Sequence, residues 1–203
     1  MAITTLNNLS INRSDTASAD QVWTATSATA SDFQAAGGGV LQVKSTTKTD
    51  TQTIASTSDT AISSFTISLT PSSTSNKILL FGSVSFGGAA NLYGQGSIYR
   101  QIASGGYSQL TTAIGDADSS ATRCTIPLQL IYSSSNETYK VISSSFNFLD
   151  NPNTTSQVDY QIHCRSNSSG NIRINEEDNS DDGDYDARPI TTITALEIDS
   201  GVL

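Results

Sequence analysis

The stretch FTISLTPSSTSNKILLFGSVSFGG, residues 65–88, decides the fold class. Phe65, Ile67 and Leu69 alternate with Thr66, Ser68 and Thr70, a period of two that puts successive side chains on opposite faces of a strand. Pro71 to Asn76 then form a cluster of turn residues. The next run sets Ile78, Leu80, Val84 and Phe86 on one face against Ser83 and Ser85 on the other, and Gly87 and Gly88 are expected to end it.

The same alternation extends in both directions. Further strands are expected over 41–47, 97–102, 109–114, 123–132, 139–149, 157–165, 171–175 and 190–198, separated by clusters of Gly, Ser, Asn and Asp. No amphipathic helix interrupts them. Each strand is apolar on one face and hydroxyl-rich on the other, so the sheets should be antiparallel, with one side wet. Two such sheets hide their inner faces against each other. The expected fold is therefore all-β, an antiparallel sandwich or jelly roll of about 8–10 strands.

Residues 1–40 differ from this domain, which spans 41–203. Their apolar anchors are scattered: Ile3, Leu6, Leu9, Ile11, Val22, Trp23 and Phe33. These cannot close a core, and the segment runs into the glycine joint Gly37 to Gly39, with a short helix capped by Ser31 expected just before it. A polar arm of this kind orders on a partner, so it is read as a docking arm.

Composition removes several classes of function. The 203 residues carry a formal charge of -9 and only ten basic side chains, against the counterion-release force that drives nucleic-acid binding. No apolar run reaches the length of a membrane span, and no secretion signal is visible. Serine and threonine fill more than a quarter of the positions, interleaved with Val, Ile, Leu and Phe, which fits solvated sheets.

Catalytic constellations are sparse. His163, the single histidine, shares a strand face with Asp159, Gln161 and Arg165, opposite Val158, Tyr160, Ile162 and Cys164, and reads as a surface residue instead of a general base. No nucleophile elbow, zinc-protease or phosphate-loop pattern occurs, so an enzyme is not expected. Cys124 and Cys164 fall in apolar registers of separate strands, and two readings stand: buried free thiols, favoured, or one disulfide.

The most unusual segment is EEDNSDDGDYD, residues 176–186, with seven carboxylates. Asp178, Ser180, Asp182 and Gly183 match the first half of an oxygen-rich calcium loop, but Pro189 occupies the position of the closing Glu. A solvated acidic tip and a divalent site both answer the repulsion, and for calcium the expected ligands are Asp178, Ser180, Asp182 and Asp184. No other cofactor is expected.

GVLQVKSTTKTDT (39–51), the 65–88 stretch and PITTITALEI (189–198) after the acidic loop together resemble a group of small virion structural proteins of tailed bacteriophages, especially marine and cyanobacterial ones, tail-fibre-like in type. The resemblance covers most of 40–198 and is most specific over 65–80 and 191–198. It implies a non-enzymatic particle component, commonly a homotrimer, assembled in the host cytoplasm, and it offers no catalytic residues. On that reading the arm docks to other virion proteins and the sandwich is exposed as a tail or head fibre touching host-surface glycans or proteins, with Tyr99, Ile131 and Tyr132 as interface candidates. Capsid decoration is a second reading within the particle. From another class comes a lectin-like carbohydrate-binding module, whose stacking residues would be drawn from Tyr93, Tyr107, Tyr132, Tyr139 and Tyr185.

Overall fold

A computed structural model describes residues 21–25, 31–35, 39–130, 140–167, 170–178, 183–184 and 186–202. Within the arm, β1 (Gln21–Ala25) and β2 (Ser31–Ala35) pair antiparallel, with Trp23 opposite Phe33 and Val22 opposite Gln34. The helix expected from Ser31 is thus a strand. An isolated one-turn helix has too few hydrogen bonds to offset its nucleation cost, whereas a hairpin gains a partner for each strand.

The remaining strands are β3 (Val40–Lys48), β4 (Gln52–Ile54), β5 (Thr60–Leu69), β6 (Lys77–Gly88), β7 (Leu92–Ile102), β8 (Ser108–Gln109), β9 (Ile126–Leu130), β10 (Ile142–Asp150), β11 (Val158–Ser166), β12 (Ile172–Ile174) and β13 (Thr191–Ile198). They form a six-stranded sheet (β3, β13, β6, β12, β4, with β10 on β6) and a five-stranded one (β5, β11, β7, β8, with β9 on β7), all pairs antiparallel. Inward residues of both sheets make one core. Ile78, Leu80, Val84 and Phe86 of β6 meet Phe65, Ile67, Tyr160, Ile162 and Cys164 in it, all buried. The architecture is the all-β sandwich that the alternation predicts.

β6 is the spine. β10 pairs with it from Ile78 to Phe86 along one edge, while β13 takes Lys77 to Ser83 of the other edge and β12 takes Phe86 to Gly88. Between those two partners Ser85 would be left dry and unpaired. Instead its N–H donates to Thr191 Oγ1 (3.0 Å) and its carbonyl accepts the Asn175 N–H (2.9 Å). Thr191 Oγ1 in turn donates to Asn175 Oδ1 (2.8 Å), and Asn175 Nδ2 donates to the carbonyls of Lys48 (2.9 Å) and Asp50 (3.0 Å), where β3 gives way to β4. Asn175 does this at φ +59°, a conformation that Asn tolerates better than most residues.

Gly87 and Gly88 are the last two residues of β6, which ends there as expected, and both still pair with β12. A side chain at Gly87 would run into the backbone of Glu176, Glu177 and Lys140. The glycines serve close approach there, not chain reversal. Residues 109–114, expected as a strand, are the end of β8 and a 3-10 turn at Thr111–Ala113. Sequence also missed β4, a short edge strand of only three residues.

The Pro71 to Asn76 turn is present and is fastened to β13 by a residue that alternation alone cannot single out. Glu197 Oε1 accepts from the Ser72 N–H (2.7 Å), Ser72 Oγ (2.8 Å) and Asn76 Nδ2 (2.7 Å), and Oε2 accepts from Gln42 Nε2 (2.5 Å). Burial pushes this carboxyl up, but the bonds from Gln42, Asn76 and Ser72 outweigh it and hold it below its usual range.

Two outcomes follow for urea unfolding. Asn175→Ala removes three side-chain hydrogen bonds at a buried left-handed position and should cost about 2–4 kcal/mol at neutral pH. Glu197→Gln should cost about 2 kcal/mol at pH 7. Because the folded pKa of Glu197 lies below the unfolded one, its contribution is complete above the usual carboxylate value and is lost as pH falls through the folded value. The variant's stability should accordingly converge on wild type in acid; a constant gap down to pH 2 would refute the assignment.

Candidate functional site

Outward residues of β11 and β7 build a polar and aromatic patch on the five-stranded sheet. His163 stacks on Tyr99 with ring centroids 3.9 Å apart and planes 12° from parallel, and Tyr107 lies 6.1 Å away at 46°. The Tyr99 hydroxyl donates to Asp59 Oδ2 (2.7 Å), and Arg165 Nε reaches Gln95 Oε1 (3.2 Å) and Asp59 Oδ1 (3.8 Å). His163 Nε2 lies 3.0 Å from Gln161 Oε1, and Gln161 Nε2 donates to Thr66 Oγ1 (2.8 Å).

Burial pushes the Tyr99 hydroxyl up to about 12, with the Asp59 bond adding to it, and burial also raises Tyr107. His163 is pulled below its ordinary value by burial, partly opposed by Asp59. A neutral imidazole with Nε2 against an amide oxygen and its face against a tyrosine is a packing element with fixed polarity. It belongs to the polar face that the sequence assigns it, half-buried there. Neither thiol is activated: burial pushes Cys164 and Cys124 up, and both are free. Cys164 is in the core register expected of it, whereas Cys124 is half-buried and precedes β9 instead of lying in a strand.

Two grooves flank the 3-10 turn. One, of about 380 Å³, is lined by Asp59, Gln109, Thr111, Thr122, Arg123 and Arg165. Arg123 donates to the Gly115 carbonyl and pairs with no carboxylate among the described residues. The other, of about 370 Å³, holds Arg100, whose Nη1 binds both oxygens of Asp150 (2.9 and 2.8 Å) while the buried Tyr160 hydroxyl also donates to Asp150 (2.7 Å). That carboxylate is fully engaged, so the second groove is built for packing more than for chemistry.

The outer face of the six-stranded sheet is of another character. Val43, Leu196, Leu79 and Leu149 stand in register on β3, β13, β6 and β10, a single apolar row crossing four strands. Val43 is 58% exposed and Leu149 44%, and Phe81, one row further along, is 41% exposed. The other outward positions on these strands are Leu41, Ile198, Gly87 and a set of Ser, Thr and Asn residues, with Lys77 as the charged one. Periodicity marks these as outward but cannot show that they align, because register is a tertiary property.

The acidic loop between β12 and β13 is organised by arginines. Glu176 pairs with Arg188 (2.9 Å) and Arg173 (3.6 Å), and Asp178 accepts from Arg173 Nε (3.0 Å). Among the expected calcium ligands, Asp178 is therefore ion-paired and Asp184 is exposed, while Ser180 and Asp182 lie outside the described residues. No three His, Cys, Asp or Glu side chains converge among the described residues. Of the arm anchors, Val22, Trp23 and Phe33 lie on the β1–β2 hairpin, and Ile3, Leu6, Leu9 and Ile11 are outside the description, as are Ile131, Tyr132, Tyr139 and Tyr185. No described helix is long and apolar enough to cross a membrane.

No family model and no curated protein matches the chain. Similar solved structures include that of the infectious bursal disease virus Gx strain (TM-score 0.35, 10% identity, 85% of this chain and 42% of that one) and the Gt strain (0.36, 11%, 86% and 42%). The crystal structure of the infectious bursal disease virus VP2 subviral particle gives 0.36, 7%, 86% and 43%. The chain spans less than half the length of these structures.

An NMR titration of His163 should give a midpoint below 6.5, since burial disfavours its charged form. A pKa depressed on folding means stability is complete above pH 6.5 and declines as pH falls through the folded value. A midpoint above 6.5 would contradict the packing described.

Proposed function

We propose that this protein is a non-enzymatic structural component of a bacteriophage virion, in which residues 1–40 dock to the particle and the sandwich is displayed as a homotrimeric knob of a tail or head fibre. The observation that carries the assembly part is the in-register row Val43, Leu196, Leu79 and Leu149 on a nearly uncharged face. A chain of net charge -9 repels its own copies over most of its surface. This face carries little charge to oppose that approach and offers apolar area, and β3 is the outermost strand at its rim among the described residues. The occupant it suits best is a second copy of the same chain. The phage assignment rests on the sequence resemblance over 40–198.

Capsid decoration uses the same domain and differs in copy number, which cryo-EM of the intact particle would count directly. The lectin reading has its own support in the Tyr99 and His163 stack beside the Arg123 and Arg165 groove, because aromatic faces and fixed hydrogen-bond donors are what sugar recognition needs. Binding on a glycan array that disappears in Arg123→Ala would favour it.

Light scattering after size exclusion should show wild type as an oligomer at micromolar concentration. Leu79→Lys combined with Leu149→Lys should shift it to monomer with an unchanged far-ultraviolet circular dichroism spectrum. A monomeric wild type, or an oligomer indifferent to both lysines, would overturn the assembly reading.

A further inference from the structure

Two guanidiniums, those of Arg123 and Arg165, line one groove of about 380 Å³ together with Asp59, Gln109, Thr111 and Thr122. Each is held by one nitrogen. Arg123 Nε donates to the Gly115 carbonyl, at the neck of a loop that the Gly115 N–H closes on the Cys124 carbonyl (3.3 Å). Arg165 Nε donates to Gln95 Oε1 (3.2 Å) and lies 3.8 Å from Asp59 Oδ1. Among the described residues no acceptor engages the terminal nitrogens of either arginine, so two anchored forks present their donors at the groove. Asp59, its lining carboxylate, already accepts from the Tyr99 hydroxyl (2.7 Å) and faces Arg165. The groove therefore carries net positive charge on a chain whose formal charge is -9.

The uncharged lining groups supply donors and acceptors side by side. Gln109 gives its amide nitrogen to Ser97 Oγ (2.9 Å), which leaves its carbonyl oxygen as an acceptor; Thr122 Oγ1 accepts from Asn167 Nδ2 (3.1 Å), which leaves its proton to donate. Such a mixture suits the neighbouring hydroxyls of a sugar. The Tyr99 and His163 stack adjoins it, since Tyr99 binds Asp59 and pairs with Gln109 between β7 and β8. We infer that this groove binds an acidic sugar, with its carboxylate between Arg123 and Arg165 and its hydroxyls on Gln109, Thr111 and Thr122. A planar carboxylate matches a guanidinium fork in a way that a neutral hydroxymethyl group cannot. The volume lies at the lower end of the roughly 300–1,000 Å³ usual for ligand pockets, which fits the end of a glycan and not a long stretch of one. Repulsion from the chain's overall charge also disfavours a polyanion, so the ligand carries its carboxylate singly, at a terminus or on a branch. The inference rests on the carbohydrate reading of this groove and names the sugar class that reading leaves open.

The test uses the full chain on an array of glycans ending in glucuronic, galacturonic or sialic acid, each beside its carboxyl-reduced counterpart. Wild type should bind an acidic glycan and hold the reduced form about tenfold or more less tightly. Arg123 is exposed, so Arg123→Ala should keep the wild-type circular dichroism spectrum and Tm while losing that preference. Lys44→Ala removes the same unit charge from β3 and should bind as wild type does. Equal or stronger binding of the reduced glycans would overturn the inference and leave the carbohydrate reading standing. So would a preference that survives in Arg123→Ala or is lost equally in Lys44→Ala. Binding to no member of the array, acidic or neutral, would overturn both.

Discussion

A twelve-residue strand in the middle of a sheet needs partners for every backbone group on both edges, and β6 obtains them from three other strands. The handover from β13 to β12 is the critical point, because Ser85 has no strand opposite it there. Asn175 and Thr191 fill that gap with a main-chain donor, a hydroxyl and an amide, and the same amide reaches the carbonyls of Lys48 and Asp50 where β3 ends and β4 begins. One polar knot thus joins five strands. Lys48, Ser85, Asn175 and Thr191 are buried, so the bonds among them replace a desolvation cost instead of merely competing with water.

Much of this architecture is legible in the letters, because inward positions of β5, β6, β11 and β13 repeat with a period of two and the core uses them as read. What sequence could not supply is where strands meet. Asn175 looks like an ordinary turn residue after a short apolar run, and only the convergence of β3, β4, β6 and β13 gives it work. Gly87 lies where β6 ends, as its composition suggests, but the need for glycine there is set by how near the Glu176 and Glu177 backbone comes. The Ser31 helix failed for a related reason: a local propensity was outweighed by a pairing ten residues away. Within the acidic loop the carboxylates were visible, but the arginines that neutralise some of them lie on β12 and after the loop, and Glu177 was indistinguishable from its neighbours until burial set it apart.

Charge placement follows a pattern of its own. Lys48 is buried yet donates to Asp50 and to the Ser63 carbonyl; Asp150 is buried between Arg100 and Tyr160; Glu197 is buried beneath four donors. Each of these three ionic groups sits where two elements must be held in one register: β3 against β5, β7 against β10, the β5–β6 turn against β13. Such groups contribute little net stability over apolar replacements of the same volume. Their value is that wrong registers would strand a charge, and a fold made of alternating hydroxyl and aliphatic residues has few other means of telling one register from the next.

The same economy explains why the two outer faces differ so much. On the five-stranded sheet, Asp59, Tyr99, Gln161, His163 and Arg165 restrain one another through hydrogen bonds and stacking, so the face presents fixed donors to water. On the six-stranded sheet, serines and threonines surround an aliphatic row and nothing fixes a charge. A rigid polar face meets a ligand at low entropic cost, whereas a smooth uncharged one tolerates contact with its own like. Sheets that must do both cannot use one face for each task interchangeably, since an arginine cluster on the aliphatic row would leave charge desolvated on association. Segregating the two onto opposite layers of a sandwich resolves that conflict, because the core between them insulates the chemistry of one surface from the other.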